Sequence, residues 1–164
     1  FVTLMLPVEV RIGPTYKVVS DLGMLNSYAG LTVPLIASAT ATFLFRQHFL
    51  DFPDELIDAA EVDGCNPWTT FWRIVVPNSM GIIGAVGTIT FIGAWNDYVW
   101  PLIVLVDPQR QTLQTTLQQL NSVYSTDYGM VMAGALISVV PLIIVFILGA
   151  RHFIANIAAG ALKG

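Results

Sequence analysis

The chain has 164 residues, of which 55% are hydrophobic and only 11% charged, with a mean hydropathy of +0.70. Soluble domains carry about 25% charged residues, so this composition excludes a chain that coats itself in water and indicates a membrane protein. The net charge of −4 comes mostly from six acids between Asp51 and Asp63, which argues against nucleic-acid binding; the single Cys65 excludes an internal disulfide or a cysteine metal cluster, and His48 and His152 add no zinc-ligand spacing.

Residues 1–6 are apolar and read as the end of a spanning helix. Pro7 to Pro14 breaks any helix, and residues 9–21, with Glu9, Arg11, Lys17 and Asp21, form a short polar connection. Arg11 and Lys17 suit either an ordinary solvated loop or the attraction of an anion. From Leu22 to Phe45 there are 24 residues without a charge, enough to cross a hydrocarbon core of about 30 Å. The small and hydroxylated run Ala37 to Thr42 favours helix packing over lipid contact, and Pro34 kinks the span.

Arg46 closes that span and an acidic island follows. Pro53 fits the first turn of a helix, and Asp54, Glu55 and Asp58 suit its positive end. Gly64 supplies a residue able to take φ > 0 where that helix stops, and Asn66-Pro67 is an N-cap followed by a first-position proline. Trp68, Phe71, Trp72, Val75 and Val76 then recur at helical spacing, giving the second helix a broad apolar stripe. Ala59, Ala60 and Gly64 leave the first helix nearly bare, open to close approach by another backbone. A hairpin that only packs on its own bundle is the plainer alternative.

A second apolar run starts near Gly81, after a turn at Pro77-Asn78-Ser79, and continues to Val106 with Asp97 as its only charge; Gly81, Gly84 and Gly87 form a flat packing face. At a helix centre an acid costs about 2.5–3.5 kcal/mol on insertion scales. Asp97 with Asn96 therefore lines a solute path, or pairs with a neighbouring subunit, or sits at the membrane surface. Trp95, Tyr98 and Trp100 read as an interfacial aromatic belt, with a sugar-stacking platform as the alternative. Asp107 to Asp127 is a polar loop. A third uncharged run, Tyr128 to Ala150, has Ala133, Gly134, Ala135 and Ser138 on its inner side and a kink at Pro141, and Arg151 to Gly164 is a tail. Counting charges barely orients the chain: Arg46, Arg73, Arg151 and Lys163 lie on the island's side, Arg11, Lys17 and Arg110 on the other.

The spacing Asp58-Ala59-Ala60, three residues, Gly64, nine residues, Ile74, Val75, Val76-Pro77 resembles the cytoplasmic loop of binding-protein-dependent ABC importer permeases, with Asp58 and Val76 replacing the usual Glu and Leu. Gly160 to Gly164 is similar to the terminus of the carbohydrate-uptake branch, as is Trp95-Asn96-Asp97-Tyr98 to its Trp-Asn-polar-aromatic run. The stretches 4–12, 27–32 and 37–47 resemble the permeases for sn-glycerol-3-phosphate.

The resemblance implies an all-α, polytopic helix bundle of the type I importer permease fold, in the bacterial inner membrane. Residues 1–164 are then the C-terminal part of one transmembrane domain, with three complete spans and the end of another, a cytoplasmic coupling loop at 46–80 and a cytoplasmic tail at 151–164. It implies that Asp58, Ala59, Ala60, Gly64, Ile74 and Pro77 couple to an ATPase, that Gly160, Lys163 and Gly164 touch it too, and that the partners are a second permease, a cytoplasmic ATPase dimer and a periplasmic solute-binding protein, within membrane lipid. No cofactor is expected on this chain: it has no Gly-rich loop with Lys and Ser/Thr, so ATP and Mg belong to the partner. The implied solute is sn-glycerol-3-phosphate or a glycerophosphodiester, or else a neutral sugar or oligosaccharide, which Asp97 suits better than an anion. A membrane-embedded enzyme or assembly factor needs a His, Cys or paired-carboxylate constellation, absent outside the island. A secondary transporter needs an internal repeat, and none is evident.

Overall fold

The computed structural model describes the backbone of residues 5–122, 125–126 and 128–161, and the side chains of 5–120 and 128–149. In chain order the helices are α1 (Val8–Asp21), α2 (Tyr28–Thr32), α3 (Ala39–Leu50), α4 (Asp54–Val62), α5 (Pro67–Thr70), α6 (Val76–Asn78), α7 (Met80–Asn96), α8 (Val99–Val104), α9 (Leu113–Leu120) and α10 (Tyr128–Ala161). A π-helical segment, Phe71–Val75, joins α5 to α6, and 3-10 turns lie at Val33–Leu35 and Pro108–Arg110. Among the described residues the only sheet is a two-residue antiparallel ladder, Asn121–Ser122 (β1) with Ser125–Thr126 (β2).

Two stretches, Tyr28–Leu50 and Tyr128–Gly149, are long and apolar enough to cross a membrane. A third qualifies when Pro67–Asn78 and Met80–Asn96 are taken together, although they are bent by 70° at Ser79. The first is broken where Pro34 was expected to act: α2 stops at Thr32, a 3-10 turn follows, and Ile36 to Ser38 are not helical. At Pro141, by contrast, α10 continues without a break in its helical assignment.

Several expectations need correction. Residues 8–21 form a helix, not a polar connection. Pro7 sits at the N-cap, where its missing N–H costs nothing, so Pro14 alone removes a helical hydrogen bond; the Lys17–Asp21 pair, 2.9 Å apart at i,i+4, supports the last turn. Residues 113–120 also form a helix within the supposed polar loop, because Leu113, Leu117 and Leu120 recur at helical spacing and Leu117 packs on Gly134. The second apolar run stops at Asn96 and resumes at Val99, so Asp97 lies at a junction between helices, not at the middle of one.

The chain divides into two compact units, residues 1–40 with 91–144 and residues 41–90 with 145–164. In the first, Val19, Trp100, Val104 and Leu105 form a core against which Met24, Leu25, Leu31 and Ile103 pack. Trp100 is 5% exposed and its indole N–H donates to the Leu31 carbonyl (3.1 Å), in the last turn of α2, where carbonyls lack helical partners. Trp95 likewise donates to the Ser138 carbonyl (3.0 Å). These tryptophans tie helices together; the aromatic-belt reading does not hold for Trp100, because an indole removed from water needs an internal acceptor. In the second unit Ala60, Thr70, Ser79, Val86 and Thr88 are buried, and Gly149 lies against Thr88. Gly81 and Gly84 are half-buried, whereas Gly87 is exposed and a Cβ there would meet nothing among the described residues.

Candidate functional site

The acidic island folds as the expected hairpin. Asp54 and Glu55 occupy the first turn of α4, and Pro53 stands one position earlier than expected, as its N-cap. The helix ends in a Schellman arrangement: the Cys65 N–H donates to the Ala60 carbonyl and the Gly64 N–H to Glu61, both at 2.9 Å, with Gly64 at φ +76°. Asn66 then caps α5 through its Oδ1, which accepts from the Thr69 N–H at 2.8 Å, and Pro67 is the first helical residue. Every piece of this turn is set by residues within a few positions of it.

The α5–α6 segment departs from a plain α-helix. Pro77 has no N–H for the Arg73 carbonyl and its ring crowds that oxygen; the π-helical turn, in which the Val76 N–H donates to Phe71, absorbs the mismatch. The Asn78 Nδ2 caps the Ile74 carbonyl at 2.8 Å. The expected apolar stripe is divided. Phe71 and Val75 line a groove of about 260 Å³ with Phe49, Phe52, Asp54 and Ile57, whereas Trp68 stacks on Phe71 and Trp72 meets both rings edge-on, the two tryptophans staying exposed, Trp68 at 71%.

Of the residues matched to the coupling loop, Asp58, Ala59, Gly64 and Pro77 are exposed and Ile74 is half-buried. Ala60 is 2% exposed, so it packs inside its own unit, and the bare outer side of α4 is offered by Ala59 and Gly64. With Val62 88% exposed beside them, the outer surface combines acids, a glycine turn and large apolar groups. The hairpin is also braced where the chain bends by 70°: Ser79, 1% exposed, pairs through its hydroxyl with His48 Nε2 at 2.9 Å, from the last turn of α3. No sequence pattern links positions 48 and 79, and only the tertiary fold brings them together.

In the first unit, Asn96 is exposed and its Nδ2 returns to the Ile92 carbonyl (2.9 Å). Asp97 is partly buried and lies one residue before the N-cap Tyr98; its Oδ1 accepts from the Trp100 N–H in the first turn of α8 at 3.4 Å. It also lines an open cleft of about 100 Å³ whose walls include Arg11, Thr15, Pro34, Leu35 and Trp100. Nearby, Asn26, at φ +56°, locks the turn before α2 to the segment after α8. Its N–H donates to Val104 (2.8 Å), its Oδ1 accepts from the Asp107 N–H (3.0 Å) and its carbonyl accepts from Arg110 (2.6 Å). Of the tail residues, Gly160 continues the backbone of α10, and Lys163 and Gly164 lie outside the described residues.

Against known proteins, residues 1–157 match the family described as binding-protein-dependent transport system inner membrane component. The chain is 47% identical over 156 residues to the sn-glycerol-3-phosphate transport system permease protein UgpE of Salmonella typhi, covering 94% of this chain and 56% of that protein. It is 49% identical to the protein of the same name from Brucella abortus (strain 2308), covering 94% and 55%, and 46% identical over 159 residues to that of Escherichia coli O157:H7, covering 94% and 56%. The chain thus spans about half the length of these relatives. In structure it resembles a bacterial ABC transporter involved in the import of the acidic polysaccharide alginate, with a TM-score of 0.76 at 22% identity, over 85% of this chain and 55% of the other. That likeness shows an ABC importer permease fold.

Proposed function

The chain belongs to the family of binding-protein-dependent transport system inner membrane components, and from that premise we propose that it forms part of a permease subunit of an ATP-driven importer of sn-glycerol-3-phosphate or glycerophosphodiesters. The observation that carries the solute is the 46–49% identity, across 94% of the chain, to permeases of that name. The chain is a transport subunit and not an enzyme; ATP with Mg is hydrolysed by a separate ATPase dimer. Its other partners are a second permease and a periplasmic solute-binding protein.

Coupling runs through the hairpin. Residues 46–80 face the cytoplasm, and α4 seats on the ATPase with Asp58, Ala59 and Gly64 on the contact side; Ala60 sets the helix in place from within, and Ile74 and Pro77 shape the helix that follows. Exposed Val62, Trp68 and Trp72 supply apolar area for that contact, at about 25 cal/mol per Å² removed from water. Closure of the ATPase dimer pulls on the hairpin, and α3 and α7, which flank it in the chain, carry the displacement and open the solute path by alternating access. The tail at 151–164, with Gly160, Lys163 and Gly164, makes a second contact to the ATPase.

The experiment is reconstitution of the full-length subunit with its second permease, ATPase and binding protein. ATP hydrolysis rises when the binding protein is loaded with sn-glycerol-3-phosphate and does not rise with maltose. Equal stimulation by maltose, or none by either solute, overturns the assignment.

A further inference from the structure

We propose that the cleft between α1, the break at residues 33–38 and the α7–α8 junction is a solute site in which Arg11 holds the phosphate of a small phosphorylated polyol and Asp97 accepts from its hydroxyls. The inference rests on the substrate reading above and goes further, because it assigns residues to the two ends of the solute.

Three cations in this unit have described side chains. Lys17 pairs with Asp21 at 2.9 Å and Arg110 with Asp107 at 3.7 Å, whereas Arg11 is within ion-pair distance of no acid among the described residues. Arg11 lines the cleft of about 100 Å³ that Asp97 also lines, and it lines a second, adjoining cleft of about 210 Å³ with Pro34, Leu35, Ser38 and Thr40. An unpaired guanidinium beside largely apolar walls favours an anion, and its planar set of donors matches phosphate in a two-point contact.

Asp97 gives the site polarity. Its Oδ1 is engaged by the Trp100 N–H, while its other oxygen has no donor among the described residues. Because Arg11 and Asp97 share the cleft without forming an ion pair, space remains between opposite charges. A glycerol phosphate has the matching ends: an anionic phosphate and hydroxyl donors. The carboxylate, which repels an anion, then faces the hydroxyl end, and Arg11 offsets its repulsion of the phosphate.

The test uses the assembled transporter in proteoliposomes, with labelled sn-glycerol-3-phosphate (a monoester) and glycerophosphocholine (a diester) as probes, and with ATP hydrolysis measured alongside uptake. Arg11→Gln is expected to lower monoester uptake by about ten-fold or more, as for loss of a charge-assisted contact. The less charged diester loses less, binding-protein-stimulated hydrolysis persists, and Arg11→Lys recovers part of the monoester uptake. Wild-type uptake of both solutes by Arg11→Gln overturns the site, and so does an equal loss of both solutes together with hydrolysis, which marks a structural role. If the wild-type transporter takes up neither solute, the substrate reading fails and the site with it.

Discussion

At Gly30 a Cβ would overlap the Met24 carbonyl, and the Ser27 hydroxyl, which accepts from the Gly30 N–H (3.0 Å) and donates to Met24 (2.6 Å), holds that approach closed. Gly30→Ala is therefore expected to destabilise by about 1–3 kcal/mol, read as a lower thermal midpoint in detergent; an unchanged midpoint contradicts the contact. Asp97 makes a finer prediction, because its bond from the Trp100 N–H needs only an acceptor. Asp97→Ala costs about 1 kcal/mol whereas Asp97→Asn leaves stability nearly unchanged, by the same measurement. At the 70° bend the asymmetry lies between partners: His48→Ala leaves the buried Ser79 hydroxyl without its imidazole, at about 1–3 kcal/mol, while Ser79→Ala leaves a partly exposed imidazole that water still reaches and costs less. Equal losses, or a larger loss in Ser79→Ala, refute that ordering.

The α4–α5 hairpin is the element whose chemistry was most legible in the sequence. Gly64, Asn66 and Pro67 act on backbone groups within five positions, so their types alone determine the cap, the left-handed turn and the restart. Helices α1 and α9 were not legible. Pro14 and Gly13 mask the first, and the polar composition around Leu113, Leu117 and Leu120 masks the second, although the spacing of its leucines was there to be used. The roles of Trp95, Trp100 and Asn26 depend on hydrogen-bond partners 43, 69 and up to 84 positions away, which no local pattern can supply. For the hairpin the decisive variant is Gly64→Asn. Asn tolerates φ > 0 and a Cβ there meets nothing among the described residues, so folding is expected to survive. If the outer side of α4 docks closely on an ATPase, transport nonetheless falls; normal transport rules that contact out. Removing residues 160–164 is expected to lower hydrolysis coupled to transport while leaving the spans folded, and unchanged coupling assigns the tail no part in it.

For the whole molecule, the dominant physical fact is unpartnered apolar surface. Along α10, Leu136, Ile137, Val140, Ile143, Ile144, Phe146, Ile147 and Leu148 are each more than half exposed within the chain. That band is stable only against lipid or other helices, as expected of an inner membrane component with partner subunits. The bulk composition was enough to place the chain in a membrane, whereas the cleft proposed as a solute site was not legible, because Arg11, Pro34 and Asp97 line it together only through the fold. The most direct test of the account is uptake of labelled sn-glycerol-3-phosphate by the full-length subunit assembled with its partners in proteoliposomes. Accumulation that requires both ATP and the solute-binding protein, and that unlabelled glycerol-3-phosphate competes away but maltose does not, is the predicted result; ATP-independent entry, or ATP-driven accumulation of maltose in its place, would contradict it.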